Sequence, residues 1–165
     1  MTTTDNKTDF RLLAVQLEAL TGSETDALAN TANFVGLLFN AMPDINWLGV
    51  YVLRDDALVL GPFQGNPACV RIAIGDGVCG TAASERKTQR VADVHEFPGH
   101  IACDPASRSE LVVPLIAGST LLGVLDIDSP SPGRFSADDQ ADIEALCEDF
   151  IRVLMRDGPP AAPFI

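Results

Sequence analysis

Basic residues are scarce in this chain. Its 165 residues carry 11 Lys plus Arg against 23 Asp plus Glu, a formal net charge of −12. The cations are scattered, so a nucleic-acid backbone or an anionic membrane face would be repelled and neither is an expected partner. Long apolar runs are missing too. Stretches such as Leu121 to Leu125 are far too short to cross a bilayer. The start, Met1-Thr2-Thr3-Thr4-Asp5-Asn6-Lys7-Thr8, lacks the basic-then-apolar order of a secretory signal. The expected compartment is therefore the cytoplasm, where a permanent disulfide framework is disfavoured and several cysteines point to metal binding or catalysis. Close cysteine pairs are also absent. The spacings are ten (79 − 69) and twenty-four (103 − 79), against the two to four residues usual in zinc sites, so no metal site is expected. Nothing in the composition calls for a cofactor.

What is present is a hydrophobic fraction of 47%, enough for one real core in a chain of single-domain length. Residues 1–8 read as disordered. Asp9 to Thr21 reads as a helix with Leu12, Leu13, Leu17 and Leu20 on one stripe, stopped by Gly22. Ser23-Glu24-Thr25-Asp26 resembles a capping signal for a second helix that runs to about Met42, with Leu28, Val35, Leu38, Phe39 and Met42 at helical spacing before Pro43. Asn46 to Arg54 and Leu58 to Leu60 read as a hairpin, and Val70 to Ile74 as a third strand. A short helix spans Val78 to Arg86 and a fourth strand Gln89 to Val91. Ala92 to Arg108 is a long loop holding both histidines, and loops of that length in compact domains are often functional. Leu111 to Ile116 and Leu121 to Ile127 form a second hairpin. Ser136-Ala137-Asp138-Asp139 caps a last helix that reaches about Met155, and residues 157–165 read as a loose tail. This order predicts an α+β fold, with helices on the face of a mostly antiparallel sheet. The amphipathic terminal helices also suit pairing with a second copy, a homodimer.

Three residue sets bear chemistry. The first is Cys69, Cys79 and Cys103, inside one thirty-five-residue window. A cytoplasmic thiol acts through its thiolate, favoured by a helix N-terminus or a nearby cation. Cys79 falls in the first turn of the predicted short helix, where backbone amides would stabilise its anion. Cys103 follows His100 by three residues, while Asp104 opposes its ionisation. These residues alone do not rank one above the other, and buried cysteines are also common small apolar filler. Cys147, on the last helix, fits that plainer role.

The second set is acidic. Along Leu122-Gly123-Val124-Leu125-Asp126-Ile127-Asp128 alternate residues share a strand face, so Asp126 and Asp128 should point with Leu122 and Val124. Glu110 opens the neighbouring strand, and no Lys or Arg stands near them. Carboxylates in an apolar setting are costly unless paired. Either they hold a cationic group such as an ammonium, or they crowd until one keeps its proton. Alternatively, Asp128 simply caps the turn at Ser129-Pro130. The third set is Trp47 and Tyr51, the only residues of their types, on one face of the Asn46 strand. An aromatic wall beside acids suits a small amphipathic cation; core packing is the other reading.

These sets occur together in one family. Asn46-Trp47-Leu48-Gly49-Val50-Tyr51, Pro67-Ala68-Cys69, Gly77-Val78-Cys79-Gly80-Thr81-Ala82, Asp93-Val94-His95, Gly99-His100-Ile101-Ala102-Cys103-Asp104, Ser109-Glu110-Leu111-Val112-Val113-Pro114 and Gly123 through Pro130 cover most of residues 24–150. They closely resemble the free methionine-R-sulfoxide reductases, single-domain enzymes of the GAF type. The resemblance implies a GAF/PAS-like sheet of about six strands over residues 9–156, with the N- and C-terminal helices packed on one face. It implies that Cys103 is the nucleophile, Cys69 the main resolving thiol and Cys79 an auxiliary one. It further implies that Glu110, Asp126 and Asp128 contact the substrate's polar groups, and that Trp47 and Tyr51 line the pocket near its methyl end. The implied partners are free methionine sulfoxide and a thioredoxin-type reductant. A non-catalytic GAF regulatory module is the first alternative, though such modules usually adjoin an output domain for which this length leaves no room. A thiol redox sensor without turnover is the second.

Overall fold

The computed structural model describes residues 8–101, 103–158 and 165. Most of the expected disordered start and of the expected loose tail lie outside them.

The first helix, α1 (Phe10–Thr21), begins where the Asp9 side chain accepts from Leu12 N at 3.0 Å, and it ends at Gly22, whose φ of +26° suits glycine. Its buried stripe is Phe10, Leu13, Leu17 and Thr21. Leu12 and Leu20 were expected on that stripe and are instead 52% and 49% exposed. The correction follows from the helical period: steps of three and four from Phe10 reach Leu13 and Leu17 and pass between the other two. In α2 (Ala27–Ala41), Asp26 caps the start by accepting from Ala29 N at 2.8 Å, and Phe34, Val35 and Leu38 face inward while Leu28 is exposed. At the far end of the chain, α4 (Ala137–Leu154) carries the expected capping box between Ser136 and Asp139.

Six strands make one antiparallel sheet in the order β3-β2-β1-β6-β5-β4. They are β1 (Trp47–Arg54), β2 (Ala57–Gln64), β3 (Arg71–Ala73), β4 (Gln89–Val91), β5 (Ser109–Ala117) and β6 (Thr120–Ser129). β2 runs four residues past the expected Leu60, through Gly61 and Pro62. The register with β1 shifts there, between Gly49 and Tyr51, and that irregularity accommodates the proline. The long loop also contains a 3-10 turn, Val94–Glu96.

Helices α1, α2 and α4 cover one sheet face around Leu48, Val50, Leu111 and Leu125, and Phe34 stacks on Phe150 with ring centroids 4.2 Å apart. On the other face lies α3 (Gly77–Glu85), packed over Trp47, Tyr51, Val112 and Val124. Leu122 departs from its expected direction. The β5–β6 register slips between Leu115 and Ile116, pairing Gly123 and Leu121 but skipping Leu122. That bulge turns Leu122 to the three-helix side, while Val124 stays on the α3 side with Asp126 and Asp128. Gly123 is required at this crossing, because a Cβ there would sit 2.0 Å from the Tyr51 carbonyl oxygen. Among the described residues no helix is long and apolar enough to cross a membrane.

Candidate active site

The sheet register assembles the site on the α3 face. Glu110 of β5 stands opposite Asp128 of β6, and Asp126 stands opposite Val112 on one side and Gly49 on the other. α3 then brings Cys79 over them. Its sulfur lies 3.9 Å from Glu110 Oε1, and ligand atoms of Cys79, Glu110 and Asp126 lie within 4.8 Å of one another, all buried. Gly80 permits this approach, since a Cβ at that position would sit 2.4 Å from the Ala73 carbonyl oxygen.

Three carboxyl groups in so small an apolar volume cannot all ionise cheaply. Burial, then the charges of Asp126 and Asp128, push Glu110 well above the usual carboxyl range. Burial, then Asp126, does the same to Asp128, although a hydrogen bond with Ser107 pulls the other way. Asp126 is raised less, to about 6, by burial, with hydrogen bonds from Cys79 and Glu110 opposing. Asp126 is thus the member that ionises most readily, and its Oδ1 is buried with no hydrogen-bond partner. The nearest cationic candidate is His100, whose Nε2 is 4.0 Å from Glu110 Oε2. Burial, then the charge of His95, lowers its basicity.

Cys79 departs from the sequence expectation. It is the third residue of α3, but its sulfur faces carboxyl groups rather than helix amides. Burial first, then Asp126 and Glu110, push its thiol well up. Cys79, Glu110 and Asp126 are also the set among the described residues that offers ligand atoms to one metal ion. The close-pair spacing rule could not find it, because its members come from three separate elements. Cys79 and Glu110 hold their protons, so a cation would have to displace both. Cys147 is buried in the helix-side core as expected, its thiol pushed up by burial and by Glu144 and Glu148.

Cys69 and Cys103 are joined by a disulfide, with Cα atoms 5.4 Å apart across 34 residues of sequence. It closes one side of a cavity of about 30 Å³ lined by Ile72, Asp76, Val78, Cys79, His100, Cys103, Ser107, Glu110, Asp126 and Asp128, among others. Trp47 and Tyr51 are almost fully buried beneath the Cys69 segment and are not among the lining residues. Trp47 Nε1 donates to the Asn66 carbonyl at 3.0 Å, and the Tyr51 hydroxyl donates to the Cys69 carbonyl at 3.0 Å. Their rings lie 5.8 Å apart, with Phe63 on the other side of Trp47 at 5.5 Å.

The Cys103 loop is braced at two places, the Asp93-Val94-His95 motif and Asp104, to which sequence reasoning gave no bracing role. Asp93 accepts from Arg108 and from His95 Nδ1, each at 2.9 Å, and these partners, Arg108 first, hold its carboxyl well below the usual range. Asp104 accepts from Asn46 and Asn66. The one sequence signal for the second brace is the adjacency of Asp104 to Cys103.

A family model for the GAF domain matches residues 10–153. The free methionine-R-sulfoxide reductase of Escherichia coli (strain K12) is 51% identical over 150 residues, covering 90% of this chain and 91% of its own. The enzyme of the same name from Saccharomyces cerevisiae is 43% identical, covering 82% of this chain and 80% of its own. A solved structure of fRMsr of Staphylococcus aureus in complex with substrate superposes with a TM-score of 0.86 at 49% identity, covering 92% of this chain and 99% of that one.

Proposed function

The chain belongs to the free methionine-R-sulfoxide reductase family and is built on a GAF domain, and from that premise we propose that it reduces free L-methionine-(R)-sulfoxide in the cytoplasm, with Cys103 as nucleophile. The observation that carries this reading is the Cys69–Cys103 disulfide set over buried Glu110 and Asp126 and half-buried Asp128.

The Cys103 thiolate attacks the sulfoxide sulfur. The sulfoxide oxygen gains a proton and passes to Cys103, methionine leaves as the thioether, and Cys103 becomes a sulfenic acid. Cys69 then condenses with that acid, forming the disulfide and releasing water. A thioredoxin-type dithiol returns both thiols and takes up the disulfide. Glu110 and Asp128, which hold their protons, supply the proton that the oxygen needs. Asp126, the member that ionises most readily, offers its unpartnered Oδ1 to the substrate ammonium. A free amino acid carries that ammonium and a residue within a polypeptide does not, which accounts for selectivity toward the free form. Trp47 and Tyr51 lie beneath the Cys69 segment, so they floor the methyl end only where that segment has moved off them.

With the disulfide closed, the cavity has room for about one water molecule. An amino acid the size of methionine sulfoxide needs several times that volume. The exposed Leu12, Val15 and Leu20 of α1 suit the contact face of a homodimer. The deciding assay follows methionine release from each epimer of free methionine sulfoxide, with dithiothreitol and with a thioredoxin system. Release from the R epimer alone supports the proposal. A disulfide that forms and breaks with no sulfoxide consumed would instead assign a redox switch, and ligand binding without either would assign a regulatory module.

A further inference from the structure

Two loops far apart in sequence must present their sulfurs to each other, and one carboxylate touches the supports of both. Asp104 Oδ2 accepts from Asn46 Nδ2 at 3.1 Å and from Asn66 Nδ2 at 3.4 Å, while its Oδ1 accepts from Ala106 N at 2.9 Å. Asn46 is fixed to the sheet by its own N–H, which donates to the Asp128 carbonyl at 3.0 Å, and its Nδ2 also reaches Ser107 Oγ at 3.1 Å. Asn66 lies three residues before Cys69, in a segment held by Trp47 and Tyr51, and Asp104 directly follows Cys103.

We infer that Asp104 is a positioning residue for disulfide formation, its carboxylate drawing the Cys69 and Cys103 segments together at the start of β1. The inference rests on the reductase reading for its place in the catalytic cycle, but the geometry stands without it. An acid beside a nucleophilic cysteine opposes the thiolate, so its presence needs a compensating role. The latch supplies one. A neutral amide has one acceptor oxygen, whereas the carboxylate accepts from both asparagine side chains and from Ala106 with two. None of these bonds involves a sulfur atom. After reduction they keep the two thiols near one another and so raise their effective concentration.

The test is the equilibrium of the reduced protein with dithiothreitol at graded ratios of thiol to cyclic disulfide. As the protein disulfide gains two electrons and two protons, one dithiothreitol is oxidised to its ring form. The Cys69–Cys103 fraction is read by mass after alkylation, and no methionine sulfoxide is present, so this outcome is separate from that of the reductase assay. Asn66→Ala should weaken the disulfide about threefold and Asp104→Ala about tenfold. Asn66→Asp should weaken it more than Asn66→Ala, because two carboxylates would then face each other. Combining Asn66→Asp with Asp104→Asn should recover part of the loss seen in Asn66→Asp alone, since the 66–104 pair regains a donor and an acceptor while Asn46 and Ala106 are left to share one amide oxygen. Constants that stay within about twofold of the parent in both alanine variants overturn the inference. A lowered melting temperature of the reduced variants with an unchanged constant assigns the bonds to folding alone and overturns it as well.

Discussion

The Cys79 thiol faces Glu110 Oε1 across 3.9 Å, inside a cluster where every charge nearby is negative. A thiol so placed keeps its proton, and thiols react through the thiolate. In the fully reduced protein at neutral pH, iodoacetamide should therefore label Cys79 at least about tenfold more slowly than Cys103, followed by peptide mass. Labelling of Cys79 ahead of Cys103 would return it to the role of nucleophile.

The two joined cysteines should separate in kinetics. Cys103→Ser should abolish methionine release even in a single turnover, because no other described thiol lines the cavity without the carboxyl shield. Cys69→Ser should release about one methionine per enzyme and then stall or recycle slowly, because the first half of the cycle does not need the resolving thiol. Rapid-quench chromatography of methionine distinguishes the two, and full turnover of Cys69→Ser with thioredoxin would mean that another cysteine resolves the sulfenic acid.

The buried acids should leave a signature in stability against pH. The folded-state pKa of Asp126 is raised to about 6 by burial, above the about 3.9 of an unfolded aspartate. Between those values the native state binds more protons than the unfolded chain, so stability falls as pH rises. Glu110 and Asp128 shift in the same direction and extend the loss upward. Urea midpoints should drop from pH 5 to pH 7, and Asp126→Asn should flatten that drop by an amount on the order of 1–3 kcal/mol. An Asp126→Asn profile parallel to the parent's would place the responsible groups elsewhere.

Gly80 should tolerate no side chain. A Cβ there meets backbone, the Ala73 carbonyl oxygen at 2.4 Å, so α3 must lift from β3. Gly80→Ala should lower unfolding stability by about 1–3 kcal/mol and, by moving Cys79 off the acid cluster, speed its alkylation. Gly36→Ala, whose Cβ would meet nothing within 4 Å, is the control: it should leave Cys79 alkylation unchanged and, lying inside α2, raise stability by about 0.5–1 kcal/mol. Equal effects from the two substitutions would remove the close approach as the cause.

Much of this molecule was determined by short-range sequence alone. Asp26 and Ser136 announce their helices because a side-chain oxygen satisfies an amide three residues on. The strand at Asn46 and the hairpin before Ser129 follow from branched residues and turns within a few positions. The motif around Gly99 to Asp104 pointed to a family, and with it to Cys69 and Cys103 as partners. Only the tertiary structure decided the rest. The skipped Leu122 reverses a face that simple alternation would assign, because a bulge arises from fitting two strands together rather than from either strand's own composition. The surroundings of Cys79 were hidden for the same reason. Its helix position is local, but the acids that govern it arrive from β5 and β6, 31 or more residues away. The bracket of Asp104 with Asn46 spans 58 positions. Backbone propensities act over one or two turns, whereas charge, burial and hydrogen bonding act through space, and it is the fold that sets those distances.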